Sequence, residues 1–176
     1  MLADVLDVLG RTSVDRVLVV SPDDEVLDFA SKHGVAGLKE PGIELNEALQ
    51  LAIRHAMAKG AASILIVPAD VPALKTSDIE KILEMASSTR EIIIAPSSTN
   101  GTNALLLRPP DVMDVHFGGE SFPIHLARAR EAGVKPKTYR SQTTAVDIDE
   151  VADLANIKSQ AQGTRTYQFL QSLSKN

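Results

Sequence analysis

Ser63-Ile-Leu-Ile-Val-Pro-Ala-Asp-Val-Pro-Ala-Leu74 is a short apolar run that ends in a single carboxylate. The four consecutive apolar residues 64–67 read as a strand buried on both faces, as in a parallel sheet. Asp70 follows between Pro68 and Pro72, which fix the local backbone and remove two amide donors. Ligands of open α/β sheets bind beyond the carboxyl ends of the strands, so an Asp in this place is suited to holding a metal ion. A lone strand-end Asp more often only caps a turn. What decides between the two is which other residues gather at the same end of the sheet.

Working outward, strand-like and helix-like segments alternate, which is the signature of an α/β layer structure. Residues 15–20 read as a strand, and Ser21-Pro22 as a cap and first residue of a helix that stops at Gly34. A short strand is expected over 34–38. The clearest helix has Leu45, Ala48, Leu49, Ala52, Ile53, Ala56 and Met57 on one face and ends at Gly60. After the Asp70 loop, Ser77-Asp-Ile-Glu80 has capping-box spacing ahead of an apolar stripe at Ile79, Ile82, Leu83 and Ala86. Strands follow at 91–95 and 103–107, then a helix over 122–132 and an extended stretch over 134–144. A short strand over 145–149 leads into a helix over 150–157, and an amphipathic piece closes the chain at 167–173. No internal repeat and no second domain is visible.

The 176 residues suit one domain with a substantial core. No apolar run approaches the ~20 residues that span a bilayer. Residues 1–9 carry two acids and no base, unlike a signal peptide. The chain has no cysteine, which excludes disulfides and thiolate metal sites. The expectation is therefore a cytoplasmic protein. A net charge of −5 and 3% aromatic residues argue against a nucleic-acid surface. A small anionic substrate stays open, because local amide donors and a metal ion can outweigh a mildly acidic surface.

Three further stretches could carry chemistry. Ser97-Ser-Thr-Asn-Gly-Thr-Asn103 is crowded with hydroxyls and amides, and alone it reads as an ordinary polar turn. In Phe117-Gly-Gly-Glu-Ser-Phe122 two glycines allow close backbone approach to a ligand, and Ser121 stands where an N-cap is expected. The helix behind it would aim its positive end at the same spot, a way to hold phosphate or carboxylate without lysine. His125 shares that helix face four residues on, and its default is a structural histidine. His33, His55 and His116 have no ligand-like spacing. Asp147 and Asp149 form an Asp-x-Asp, with Asp149 suited to capping a helix and Asp147 free to join Asp70 around one or two hard divalent cations.

Taken in order, Val67-Pro-Ala-Asp-Val-Pro-Ala-Leu74, Gly101-Thr-Asn-Ala-Leu105, Phe117-Gly-Gly-Glu-Ser-Phe122 and Asp147-Ile-Asp149 resemble the 2-phospho-L-lactate and phosphoenolpyruvate guanylyltransferases of deazaflavin coenzyme F-420 biosynthesis. Those enzymes are related to the molybdenum-cofactor guanylyltransferases. The resemblance implies a Rossmann-like fold of nucleotide-diphospho-sugar transferase type, with a mixed, mostly parallel sheet and helices on both faces. It covers 1–158 as a nucleotidyltransferase domain, leaving 159–176 as a tail with a short helix. It further implies transfer of GMP from GTP, with Mg²⁺, to the phosphate of 2-phospho-L-lactate, phosphoenolpyruvate or 3-phosphoglycerate, pyrophosphate leaving.

By the same resemblance Asp70 and Asp147 are the catalytic, metal-binding carboxylates. Thr102, Gly118 and Ser121, with Asn103 beside them, hold the acceptor. Asn46, in a segment similar to one near the family's nucleotide, is the expected nucleotide contact. Neither nucleic acid nor membrane is an implied partner, and a homodimer is compatible with the family. The acceptor phosphate is already a nucleophile, so no general base is needed.

Two departures stand out. Pro68 occupies a position where some relatives carry a second acid. Family members also begin with a central strand and a basic phosphate loop ahead of a helix like residues 1–9, and this chain opens on the helix. The expectation is that this chain is a shortened form, needing that strand and loop for GTP binding. Transfer to another acceptor, such as molybdopterin or a sugar phosphate, and a non-catalytic domain binding phosphorylated metabolites are the competing readings.

Overall fold

The computed structural model describes residues 1–148 and 161–173. Asp149 and the predicted helix over 150–157 lie outside them. In chain order the described elements are α1 (Leu2–Leu9), β1 (Leu18–Ser21), α2 (Asp24–Lys32), β2 (Ala36–Lys39), α3 (Leu45–Ala58), β3 (Ile64–Ile66), α4 (Thr76–Met85), β4 (Glu91–Pro96), β5 (Thr102–Arg108), α5 (Ser121–Glu131), β6 (Lys137–Thr138) and α6 (Arg165–Leu173).

The core is organised by the two-residue period of β4 and β5. These strands pair antiparallel, Ile92 opposite Leu107 and Ile94 opposite Leu105, and every apolar side chain from Ile92 to Ala95 and from Ala104 to Leu107 is fully buried. Alternation sends Ile92, Ile94, Leu105 and Leu107 to one face, where they meet Leu49 and Ile53 of α3 and Phe122, Leu126 and Ala129 of α5. Ile93, Ala95, Ala104 and Leu106 go to the other face, against Ile82, Leu83, Met85 and Ala86 around α4. Each such isoleucine or leucine contributes roughly 1.5–3 kcal/mol by burial. Helices on both faces of a mixed sheet make this a Rossmann-like α/β fold, as expected.

Sheet order is β3-β5-β4-β6, with β1-β2 as a separate parallel pair. Within the four-stranded sheet β4 and β6 are parallel and β3 and β4 both oppose β5, so only β5 runs the other way. The run 64–67 was expected to be buried on both faces. Both faces are indeed covered, Ile64 and Ile66 by the α3/α5 core and Leu65 and Val67 by the α4 side. The residues of β3 are nonetheless half-buried, because β5 is the strand's one partner among the described residues and the other edge is open. Leu18–Ser21 of β1 are half-buried for the same reason. Amide hydrogen exchange should show this directly. The amides of Ile92–Ile94 and Leu105–Leu107 are expected to exchange roughly a hundredfold more slowly than those of β1 and β3. Equal protection would contradict two open edges.

Helix starts differ from the sequence reading in three places. Asp23, rather than Ser21-Pro22, caps α2, accepting from the Glu25 amide at 2.8 Å, because Ser21 still belongs to β1 and its Oγ accepts from the Asp23 amide. In α4 it is Asp78 that reaches back, accepting from the Lys75 amide at 2.9 Å, while Glu80 instead receives the amide and hydroxyl of Ser13. At α5, Glu120 precedes the helix and Ser121 is its first residue, so Ser121 is not the cap. The last helix, for which the sequence offered no role, is capped by Asp4 of α1. That carboxylate accepts from the amides of Arg165 (2.7 Å) and Thr166 (3.1 Å), and Arg165 pairs with Asp7 at 3.3 Å.

Candidate functional site

The carboxyl ends of β3 and β4 and the amino end of β5 lie at one edge of the sheet, since β5 is antiparallel to both. The loops leaving that edge carry Asp70, the 97–101 turn, and Thr102 with Asn103. The turn is closed by the Ser97 amide donating to the Gly101 carbonyl at 3.0 Å, while Ser97 Oγ accepts from the Gly101 amide at 2.8 Å. A Cβ on Gly101 would stand 2.9 Å from that oxygen, so the close approach requires glycine.

The segment 144–148 stitches these loops together. A strand was expected over 145–149, yet 145–148 are irregular backbone, because they run between loops that offer no continuous ladder. Their hydrogen bonds go to both sides. The Ser98 amide donates to the Ala145 carbonyl at 2.8 Å, and the Ile148 amide to the Asp70 carbonyl at 3.2 Å. Buried Asn103 donates from Nδ2 to the Thr144 carbonyl at 3.0 Å. The result places the Asp70 and Asp147 segments side by side. Both residues are half-buried.

Asp78 anchors the start of the same segment. Besides the Lys75 amide, its carboxylate accepts from Tyr139 Oη at 2.7 Å and Thr143 Oγ1 at 2.6 Å. Burial, then the neighbouring Asp78 carboxylate, push the Tyr139 phenol up to about 12, so it stays protonated and donating. Sequence reading missed Asp78 as a support of the site. Its signal lay in the α4 cap, but its partners are 61 and 65 residues away.

The second half of the site is the 117–121 loop. Asn46, at the start of α3, clamps it with both ends of its amide: Oδ1 accepts from the Phe117 amide at 2.6 Å and Nδ2 donates to the Phe117 carbonyl at 2.9 Å. The residue expected to touch nucleotide thus supports the loop that carries Gly118 and Ser121, the residues expected to hold the acceptor. Gly118 has a φ of +123°, with open space where a Cβ would stand, so the backbone is strained for any other residue yet accessible to a ligand. The Phe122 amide donates to the Asn100 carbonyl at 2.9 Å, joining this loop to the β4–β5 turn.

Ser121, rather than capping, donates its hydroxyl to Thr102 Oγ1 at 3.0 Å. Thr102 Oγ1 also lies 2.9 Å from Nδ1 of His125, whose Nε2 accepts from the His116 amide at 3.0 Å. His125 is wholly buried and packs edge-on against Phe117 at 5.2 Å between centroids. It is the structural histidine that its position suggested. Burial, with Arg128 and His116 adding repulsion, lowers its pKa to about 4.

The unfolded ring protonates near 6.5 and the folded one only near 4, so the unfolded state binds more protons in between. The stability contributed by the neutral ring is complete above pH 6.5 and is lost as pH falls toward 4, to the extent of roughly 3 kcal/mol. Thermal melts from pH 7.5 to 4.5 should fall accordingly, with His125→Asn flattening the decline. A wild-type Tm that stays level across that interval would contradict the assignment.

Among the described residues no group of three or more His, Cys, Asp or Glu side chains is gathered as a metal cluster. The neighbouring Asp70 and Asp147 segments do offer two hard carboxylates, a donor set that fits Mg²⁺ completed by water and phosphate oxygens. None of the described helices is long and apolar enough to cross a membrane.

Comparison with known proteins bears on the family and the fold. The family model described as "Guanylyl transferase CofC like" matches residues 1–176. The phosphoenolpyruvate guanylyltransferase of Rubrobacter xylanophilus is 40% identical over 160 residues, covering 90% of this chain and 78% of that protein. The 2-phospho-L-lactate guanylyltransferase of Methanothermobacter thermautotrophicus is 37% identical over 174 residues, covering 98% and 76%. In structure the chain is similar to a nucleotide-diphospho-sugar transferase from Desulfovibrio desulfuricans G20, with TM-score 0.80 and 20% identity, covering 98% of this chain and 80% of that one.

Proposed function

The chain belongs to the CofC-like guanylyl transferase family, and on that footing we propose that it moves GMP from GTP to the phosphate of a small phospho-acid and releases pyrophosphate. The acceptor class is 2-phospho-L-lactate, phosphoenolpyruvate or 3-phosphoglycerate, and the product serves deazaflavin coenzyme F-420 biosynthesis. The observation that carries the reading is the stitching of 144–148 between the Asp70 loop and Asn103. It brings the Asp70 and Asp147 segments to the end of the sheet where β5 begins with Thr102 and Asn103.

In this proposal Asp70 and Asp147 hold Mg²⁺, which when bound neutralises phosphate charge and aligns the triphosphate for attack. Thr102 and Ser121 contribute hydroxyls, and Gly118 contributes open backbone, to the carboxylate and phosphate of the acceptor. Asn103 and Asn46 hold the two loops in place through the Thr144 and Phe117 backbones. No side chain has to remove a proton, because a phosphate dianion is the nucleophile; positioning supplies the rate.

The whole reading is tested by incubating the protein with GTP, Mg²⁺ and each phospho-acid and measuring pyrophosphate. Release that depends on one of the acids is expected; no release with any of them sinks the reading.

A further inference from the structure

The buried contacts around His125 fix the direction of every hydrogen bond in them. A backbone amide can only donate, so the His116 amide requires a lone pair on Nε2 of His125. A ring with a lone pair on Nε2 carries its one proton on Nδ1. That proton is donated to Thr102 Oγ1, 2.9 Å away. Ser121 donates its own hydroxyl hydrogen to the same oxygen. Both lone pairs of Thr102 Oγ1 are then occupied, and its hydrogen remains. Among the described residues nothing is recorded as accepting it.

We infer that His125 is a positioning residue, whose Nδ1–H, together with the Ser121 hydroxyl, makes Thr102 Oγ1 a hydrogen-bond donor toward an anionic oxygen of the acceptor. This rests on the acceptor reading given above and adds a selection rule to it. Thr102 Oγ1 has one hydrogen to give and no lone pair to offer, so it favours a carboxylate or phosphate oxygen over a hydroxyl or amide donor at that spot. His125 acts without meeting substrate. A protonated ring would lose the His116 contact, and burial together with the nearby Arg128 and His116 holds the ring neutral. The short reach of Ser121 follows from its place as first residue of α5, directly after the Gly118–Glu120 turn.

The test begins with the wild-type protein and needs no activity. Long-range ¹⁵N–¹H spectra of the imidazoles should show His125 with its proton on Nδ1 and no titration between pH 5.5 and 8. A proton on Nε2, or a ring that titrates in that interval, overturns the inference. The second arm measures phospho-acid and GTP dependence in wild type, Thr102→Val, Thr102→Ser, His125→Phe and His125→Asn. Loss of a hydrogen bond to a charged oxygen predicts that Thr102→Val and His125→Phe raise the KM for phospho-acid roughly tenfold or more. The KM for GTP should stay unchanged. Thr102→Ser, which keeps the hydroxyl, and His125→Asn, whose Nδ2–H can stand where Nδ1–H stood, should recover most of the loss. Wild-type binding of phospho-acid that Thr102→Val leaves intact overturns the inference alone. If wild type binds none of the three acids, the acceptor reading fails and the inference falls with it.

Discussion

Asp70→Asn is expected to lower pyrophosphate release by about three orders of magnitude, which corresponds to roughly 4 kcal/mol of lost transition-state stabilisation. The substitution is nearly isosteric and keeps the backbone bond from the Ile148 amide to the Asp70 carbonyl, so the fold should persist. A Tm within a few degrees of wild type, with activity gone, identifies the carboxylate as functional. Near-normal turnover would return Asp70 to the duller role of a turn residue after a strand. Residues 67–74 contain no acid besides Asp70, so the immediate loop offers no second carboxylate to take over from it.

Asp78→Ala should be the most damaging single change outside the apolar core. It removes the acceptor for the Lys75 amide, Tyr139 Oη and Thr143 Oγ1, leaving three donors in a buried place. Each unsatisfied donor costs about 1–3 kcal/mol, so a loss of roughly 3 kcal/mol or more is expected in denaturant unfolding. Activity should fall more than stability explains, because Tyr139 and Thr143 lead into the segment that carries Asp147. Asp78→Asn keeps two acceptor lone pairs and should lie between the two. A variant as stable and as active as wild type would show that Asp78 does not hold this segment.

The layered α/β architecture was legible because β4, β5 and α3 carry their periods openly. Ile92 to Ala95 and Ala104 to Leu107 are continuous apolar runs, and Leu49 and Ile53 fall on one helix face. Asp70 was legible for the same reason, as a polar residue at the end of such a run. Less legible was anything decided by a partner far along the chain. Asn46 gave a helix-start signal, but its use as a clamp on Phe117 depends on a contact 71 residues away. Ser121 looked like a cap because serine so often is one; the Thr102 hydroxyl, brought near by β5, competes for it. The strand expected over 145–149 failed because alternation alone cannot tell a ladder from an extended segment threaded between loops. The half-burial of β1 and β3 also depends on what lies beside them, which no local pattern within either strand reports.

The central claim is that Asp70 and Asp147 hold a divalent cation beside the Thr102–Ser121 pair. Mn²⁺, a paramagnetic stand-in for Mg²⁺, tests it at substoichiometric amounts by broadening nearby amide signals. The account predicts that Val71 and Ile148 broaden first, that Thr102 and Asn103 follow, and that Asp70→Asn abolishes the effect. Broadening centred elsewhere, or unchanged in that variant, would contradict it.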